Sequence, residues 1–146
     1  MVVPLRCPNG RFHTTSVDNL AELVRVSLEH AATRVLNAGD PHPPTVAEIG
    51  DAVAVALGAH RWRIAEVPEN HPAEIGNTPW SVPKPFVLDV AAAAAIGYEA
   101  VASYPQAVRE TCDWLVANAH SGAWRARFAN SFDYAAEDAW LETINA

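Results

Sequence analysis

The stretch RVLNAGDPHPPTVAEIGDAVAVALGAHRWRI, residues 34–64, decides the fold class. It opens on a short run of strand character, 34–38, which Gly39-Asp40-Pro41 stops and Pro43-Pro44 extends into a loop. Thr45-Val46-Ala47-Glu48 then forms a capping box, in which hydroxyl and carboxylate satisfy each other's free backbone donors. Val46, Ile49, Val53 and Leu57 share one helical face and Gly58 ends it, so the spacing predicts a helix over 46–57. Beyond that helix Trp62 and Ile64 alternate with Arg61 and Arg63, the pattern of a strand with one wet face. Strand, helix and strand in this order mark an α/β chain.

Upstream, Pro4, Pro8 and an Asn9-Gly10 turn leave 11–15 as at best a short strand. Asp18 is the expected N-cap of a helix in which Leu20, Leu23, Val24 and Leu28 recur at helical spacing, ending near 30–32. Downstream, residues 68–86 hold five prolines in nineteen positions, which neither a helix nor a central strand tolerates. Asp89 caps a short alanine-rich helix that Gly97 ends. Ser103-Tyr104-Pro105-Gln106 is a second capping box, opening a helix to about Ala119 with Val108, Cys112, Leu115 and Ala119 on its inner face. Trp124 and Phe128, then Tyr134, Trp140, Leu141 and Ile144, suggest two further short helices. The reading is a single helix-dominated domain over 1–146, with two or three short strands and no complete sheet. A strand at 34–38 with both edges open invites pairing with something else.

Composition bounds what such a chain can do. Its 146 residues are 50% apolar and 18% charged, which suits one globular domain with a core of its own. Ten Lys and Arg stand against seventeen Asp and Glu, and Lys84 is the single lysine, so nucleic acid is excluded as a partner on charge. No apolar run reaches the roughly 20 residues a membrane span requires, and the N-terminus has no signal-peptide core. Cys7 and Cys112 make neither a disulfide framework nor a metal site, and the chain reads as cytoplasmic with two reduced thiols.

Spacing removes several chemistries. No two of the seven glycines lie closer than eight residues, whereas a dinucleotide turn needs glycines two and three apart. Lys84 follows Pro83 rather than Gly, and no Ser has Gly two residues away on both sides, which removes the phosphate loop and the nucleophile elbow. The six histidines show no zinc-ligand spacing, so no metal site is expected. Ser121 beside His120 carries no weight as a nucleophile pair, because sequence neighbours point different ways.

The segments in order resemble the C-terminal portion of the NAD(P)-dependent epimerase/dehydratase enzymes, the extended short-chain dehydrogenase/reductases. Ser16-Val17-Asp18-Asn19-Leu20-Ala21 is similar to that family's His-Val-Asp-Asp-Leu-Ala helix start. Val35-Leu36-Asn37-Ala38-Gly39-Asp40 resembles the Tyr-Asn-Val-Gly strand end that follows, and 45–58 the next helix. Leu88-Asp89, 92–97 and 103–114 resemble the family's Asp-x-x-(Lys/Arg)-Ala, Leu-Gly and Glu-x-x-x-Trp ending. The likeness covers about 11–118 and leaves 119–146 as a helical tail. It implies the substrate-binding part of such an enzyme, without a complete Rossmann sheet. The family's glycine turn and Tyr-x-x-x-Lys pair sit in its other half. Here the residue four before the only lysine is Trp80, so this chain has no catalytic residues of that kind and no NAD(P) site of its own. The hydride-transfer apparatus that the resemblance implies lies upstream in a longer gene product, in a partner chain, or nowhere.

The substrate side departs from the family as well. Arginines that members bring to nucleotide-sugar phosphates have weak counterparts: Arg11 lies one residue from the first position, which Phe12 occupies, and 68–88 holds no arginine. A pyrophosphate then loses its best bidentate partner, which favours a smaller, less charged carbonyl or alcohol. The expected ligand contacts are Arg11 and, in the proline-rich loop, His71, Trp80 and Lys84. The competing reading packs Trp80 onto the body and leaves Lys84 solvated. Two functions follow: the substrate-binding half of an NAD(P)-dependent epimerase, dehydratase or reductase, inactive alone; or a stand-alone, non-catalytic module that binds a small molecule or protein and completes its sheet as a homo-oligomer.

Overall fold

The computed structural model describes residues 1–30, 34–59, 61–71, 74–119 and 133–145. Among them are two strands, β1 (Val2–Leu5) and β2 (Arg63–Glu66), and five helices, α1 (Val17–Leu28), α2 (Val46–Ala56), α3 (Ala91–Ala94), α4 (Tyr104–Ala117) and α5 (Tyr134–Asn145). The result is a helix-rich α/β domain with a two-stranded parallel sheet, in which Val2 pairs with Arg63 and Leu5 with Glu66. No helix among the described residues is long and apolar enough to cross a membrane.

Strand β1 is an element that the sequence conceals, since Pro4 stands inside it. The ladder tolerates Pro4 because Arg63 and Val67 donate to the carbonyls of Met1 and Leu5, both 3.0 Å, so odd-numbered residues face β2 and the proline nitrogen points away. Beside the sheet, Gly76 adopts φ +66°, and a Cβ there would stand 2.8 Å from Val67 and 3.0 Å from the Leu5 nitrogen, so glycine alone fits. Leu5, Ala65, Val67 and Ile75 are buried at this end.

Segment 11–15 is no independent strand. It makes single bridges, Arg11 with Thr45 and Phe12 with Phe86, and threads between 40–45 and 86–88: Phe12 donates to Pro44 at 3.1 Å, and Phe86 to Arg11 at 2.9 Å. The Phe12 and Phe86 rings stack at 5.0 Å.

Helix α2 forms as its sequence dictates, with both halves of the capping box made: Glu48 donates its N–H to Thr45 Oγ1 at 3.1 Å, and Thr45 donates its N–H to Glu48 Oε2 at 2.7 Å. That backbone hydrogen bond, with smaller help from His42 and Arg11, holds the Glu48 carboxyl below the usual range. Its face Val46, Ile49 and Ala52 is buried, and the helix packs against α4. Leu57, expected on that face, is the exposed C-cap residue. On α4, Cys112 is buried as expected, whereas Leu115 is exposed.

Helix α1 corrects two expectations. Its N-cap is Ser16, whose Oγ accepts from Asn19 N–H at 3.1 Å, and Asp18 stands in the first turn. Both residues are good caps, and Ser16 prevails because the chain is still extended there (ψ 163°). The buried face is Asn19, Leu23 and Val26. The apolar row Val17, Leu20, Val24 and Leu28 faces outward, with Val17 80% and Leu28 82% exposed. Asp89 is not the N-cap of α3, which is Val90 with no side-chain cap; it stands one residue earlier, where its Oδ1 accepts from Ala91 N–H at 2.9 Å.

Segment 34–38, expected as a strand, pairs with nothing among the described residues. It keeps a strand's alternation: Leu36 and Ala38 are half-buried against the Leu23, Ala93 and Tyr98 cluster, while Val35 points out at 92% exposure. A strand needs a ladder partner, and the described chain places none beside this one. The helix expected around Trp124 and Phe128 lies outside the described residues.

Candidate functional site

Segments 13–19, 40, 88 and 101–102 meet at one polar hub. Asn19 is wholly buried and its amide is saturated: Nδ2 donates to Asp40 Oδ1 and to the Ala102 carbonyl, both 2.8 Å, and Oδ1 accepts from Val101 N–H at 2.9 Å and Ala102 N–H at 3.0 Å. Asp40, also buried, takes Thr14 Oγ1–H on Oδ2 at 2.8 Å. His13 Nδ1 accepts from Leu88 N–H at 2.9 Å, so Nε2 is the nitrogen that carries hydrogen and donates to the Asp40 carbonyl at 2.6 Å. Every one of these groups is engaged, so the hub orders segments 13–19, 40, 88 and 101–102 and offers no free reactive atom. Beside it the Tyr98 hydroxyl is buried without a hydrogen-bond partner among the described residues. Burial, then the Asp40 and Glu22 charges, push that phenol up.

On the far side of Asp40 a cleft of about 940 Å³ opens between the 40–44 loop, α2 and the first turns of α4. Its wall is apolar, built from Ala52, Val55, Val101 and Pro105, with Glu48, Asp51 and Arg109 also on the lining. Tyr104 lines it too, and desolvation pushes its phenol up to about 12. The size suits a small organic ligand.

The residues expected to touch ligand lie elsewhere, and none of them lines this cleft. Arg11 donates to the Pro43 carbonyl at 2.8 Å and stands 3.8 Å from Glu48, just behind the cleft. His71 is half-buried, its N–H donating to Pro68 at 3.0 Å and its ring edge-on to Trp140 of α5 at 6.0 Å. Trp80 is half-buried in a turn where its N–H donates to Thr78 Oγ1 at 3.2 Å, and Lys84 is exposed. Ser121 and His120 lie outside the described residues.

Arg6 organises this loop, and sequence reading missed it. Its Nε donates to Ile75 at 2.9 Å, Nη1 to Glu69 at 2.9 Å and Pro68 at 3.4 Å, and Nη2 to His71 at 2.9 Å, all main-chain carbonyls. The one available signal was an arginine at a strand end in a chain whose long loop lacks regular structure to absorb its carbonyls.

Both cysteines are free, and burial is the first cause raising each thiol, so neither is an activated nucleophile. Among the described residues no cluster of three His, Cys, Asp or Glu is placed to hold a metal ion. Among the described residues β1 runs into Arg6-Cys7-Pro8 and β2 into the loop from Pro68, and neither strand feeds a glycine turn at the start of a helix. Comparison of the chain with protein-family models, with curated proteins and with solved structures finds no match.

Proposed function

We propose that this chain is the substrate-binding half of an NAD(P)-dependent epimerase, dehydratase or reductase, with the cofactor seat and the Tyr/Lys pair supplied by another polypeptide segment. One observation carries the reading. The outward row Val17, Leu20, Val24 and Leu28 on α1 lies in the same region as the unpaired segment 34–38, whose Val35 is also bare. Between α1 and that segment lies a concavity of about 320 Å³ lined by Leu23, Val24, Leu28, Leu36 and Ile96. An apolar helix face beside open strand backbone is what a sheet leaves when its remaining strands belong to another unit. The resemblance supports the reading because its Ser16-to-Ala21, Val35-to-Asp40 and Leu88-Asp89 motifs are tied through Asn19, Asp40 and His13. The reacting substrate would meet the half that holds the cofactor, with the loop of His71, Trp80 and Lys84 as this chain's contribution.

Calorimetric titration of the purified chain with NADH and NADPH tests this, with light scattering on the same sample. No binding is expected at millimolar cofactor, with association driven by the apolar face. Micromolar binding would overturn the reading. A discrete symmetric dimer without cofactor affinity would favour the self-completing module instead.

A further inference from the structure

Helix α5 meets the body with one face. Among its described residues none is buried, and the half-buried ones, Ala136, Glu137, Trp140 and Leu141, fall on a single stripe of the helix. The helix carries its own start: Asp133 Oδ1 accepts from Ala136 N–H at 3.0 Å, and the Asp133 carbonyl from Glu137 N–H at 3.1 Å. Its stripe lies on the proline-rich loop, where Glu137 Oε1 accepts from Gly76 N–H at 3.3 Å and the Trp140 ring stands edge-on to the His71 ring at 6.0 Å. A helix of 12 residues with none of its described side chains fully buried is a unit of low stability, of the kind that opens ahead of the core.

The loop is held in its course from the other side. Arg6 donates to the carbonyls of Pro68, Glu69, His71 and Ile75, the Arg6 N–H donates to the Gly76 carbonyl at 2.7 Å, and Ser81 Oγ–H donates back to the Arg6 carbonyl at 3.1 Å. Gly76 is where the two holds meet, its carbonyl engaged by Arg6 and its N–H by Glu137. We propose that α5 is a releasable autoinhibitory strap: docked through Glu137 and Trp140 it covers the His71 side of the loop, and released it leaves that side open while Arg6 keeps the loop in place. A ligand or second lobe that reaches His71 along this side has to displace Trp140. The inhibitory consequence rests on the function proposed above, in which this loop meets the substrate, whereas the release is a property of the chain alone.

The test is the rate at which diethyl pyrocarbonate modifies each histidine of the full chain, read by peptide mass spectrometry, with residue-resolved hydrogen exchange on the same samples. His42, its side chain 70% exposed, gives the rate of an open imidazole. His71 is expected to react more slowly than His42 in the native chain, and about tenfold faster in the double variant Glu137→Ala, Trp140→Ala than in the native chain. The Arg6 amide, whose acceptor is the Gly76 carbonyl, should keep its exchange protection in that variant, as should the amides of α2. Equal His71 rates in the two chains would overturn the proposal. So would a faster His71 accompanied by loss of protection at Arg6, because α5 would then hold the loop rather than cover it. Cofactor binding, on which the function proposed above is judged, enters neither measurement, so the two fail separately.

Discussion

Replacing Asn19 with leucine is expected to cost about 4 kcal/mol or more, enough to unfold a large fraction of the chain at 37 °C. Leucine keeps the branching and the helix but is the bulkier side chain, so the loss of hydrogen bonding comes with overpacking at a wholly buried site. Four partners lose their bonds at once: the buried Asp40 Oδ1 and, part-buried, the Ala102 carbonyl and the N–H groups of Val101 and Ala102. Each unsatisfied buried group costs roughly 1–3 kcal/mol, and the Asp40 carboxylate more. Asn19→Asp is expected to do comparable harm at neutral pH, since it places a second carboxylate against Asp40 Oδ1 where the amide now donates at 2.8 Å. Part of that loss should return in acid, where the pair shares a proton. Asp18→Ala, by contrast, removes only a first-turn charge and is expected to cost a few tenths of a kcal/mol. Urea unfolding of the three variants separates these cases, and a small effect at Asn19 would remove the hub from its central place.

The second large effect belongs to Arg6. Arg6→Met keeps the aliphatic stem and removes donors to four main-chain carbonyls of the proline-rich loop. Hydrogen bonds from a charged donor are worth roughly 1.5–3 kcal/mol when well placed, and partial exposure discounts them here, so about 2–3 kcal/mol is expected in total. The diagnostic consequence is local: amides of 69–77 should lose exchange protection while those of α2 keep theirs. Arg6→Lys should recover less than half, because one ammonium cannot span carbonyls that a planar fork reaches in different directions. Uniform loss of protection across the chain would mean that Arg6 supports the whole fold rather than the loop.

What could be read in the sequence follows the distance between partners. The α2 capping box is decided by residues three apart, and the start of α4 by Gln106 accepting from Ser103 N–H at 2.8 Å. Such elements are legible because cause and effect share a turn. The α1 cap slipped by two residues because Ser16 and Asp18 compete on equal terms. Its apolar row was visible, but periodicity cannot say whether a partner stands on that side. The parallel pairing of β1 and β2 joins residues about sixty apart through a strand with an internal proline, and nothing local announces it. The same holds for the site: Arg6 and Asn19 act on carbonyls and amides 62 to 83 residues away in sequence, supplied by backbone, which no side-chain motif encodes. The loop of His71, Trp80 and Lys84 was legible as a loop through its prolines. The cleft was not, since it arises only where the two capped helices meet.

We propose that α1 and segment 34–38 form a face that receives strands of another unit. Residue-resolved hydrogen exchange of the isolated chain, repeated over a wide range of concentration, tests it most directly. Amides of 35–38 are expected to exchange close to their unprotected rates in the dilute chain while those of α2 and β2 stay protected, and to gain protection only where α1 is covered. Protected 35–38 amides in a concentration-independent monomer would contradict the account, because the edge would then be closed within the chain itself.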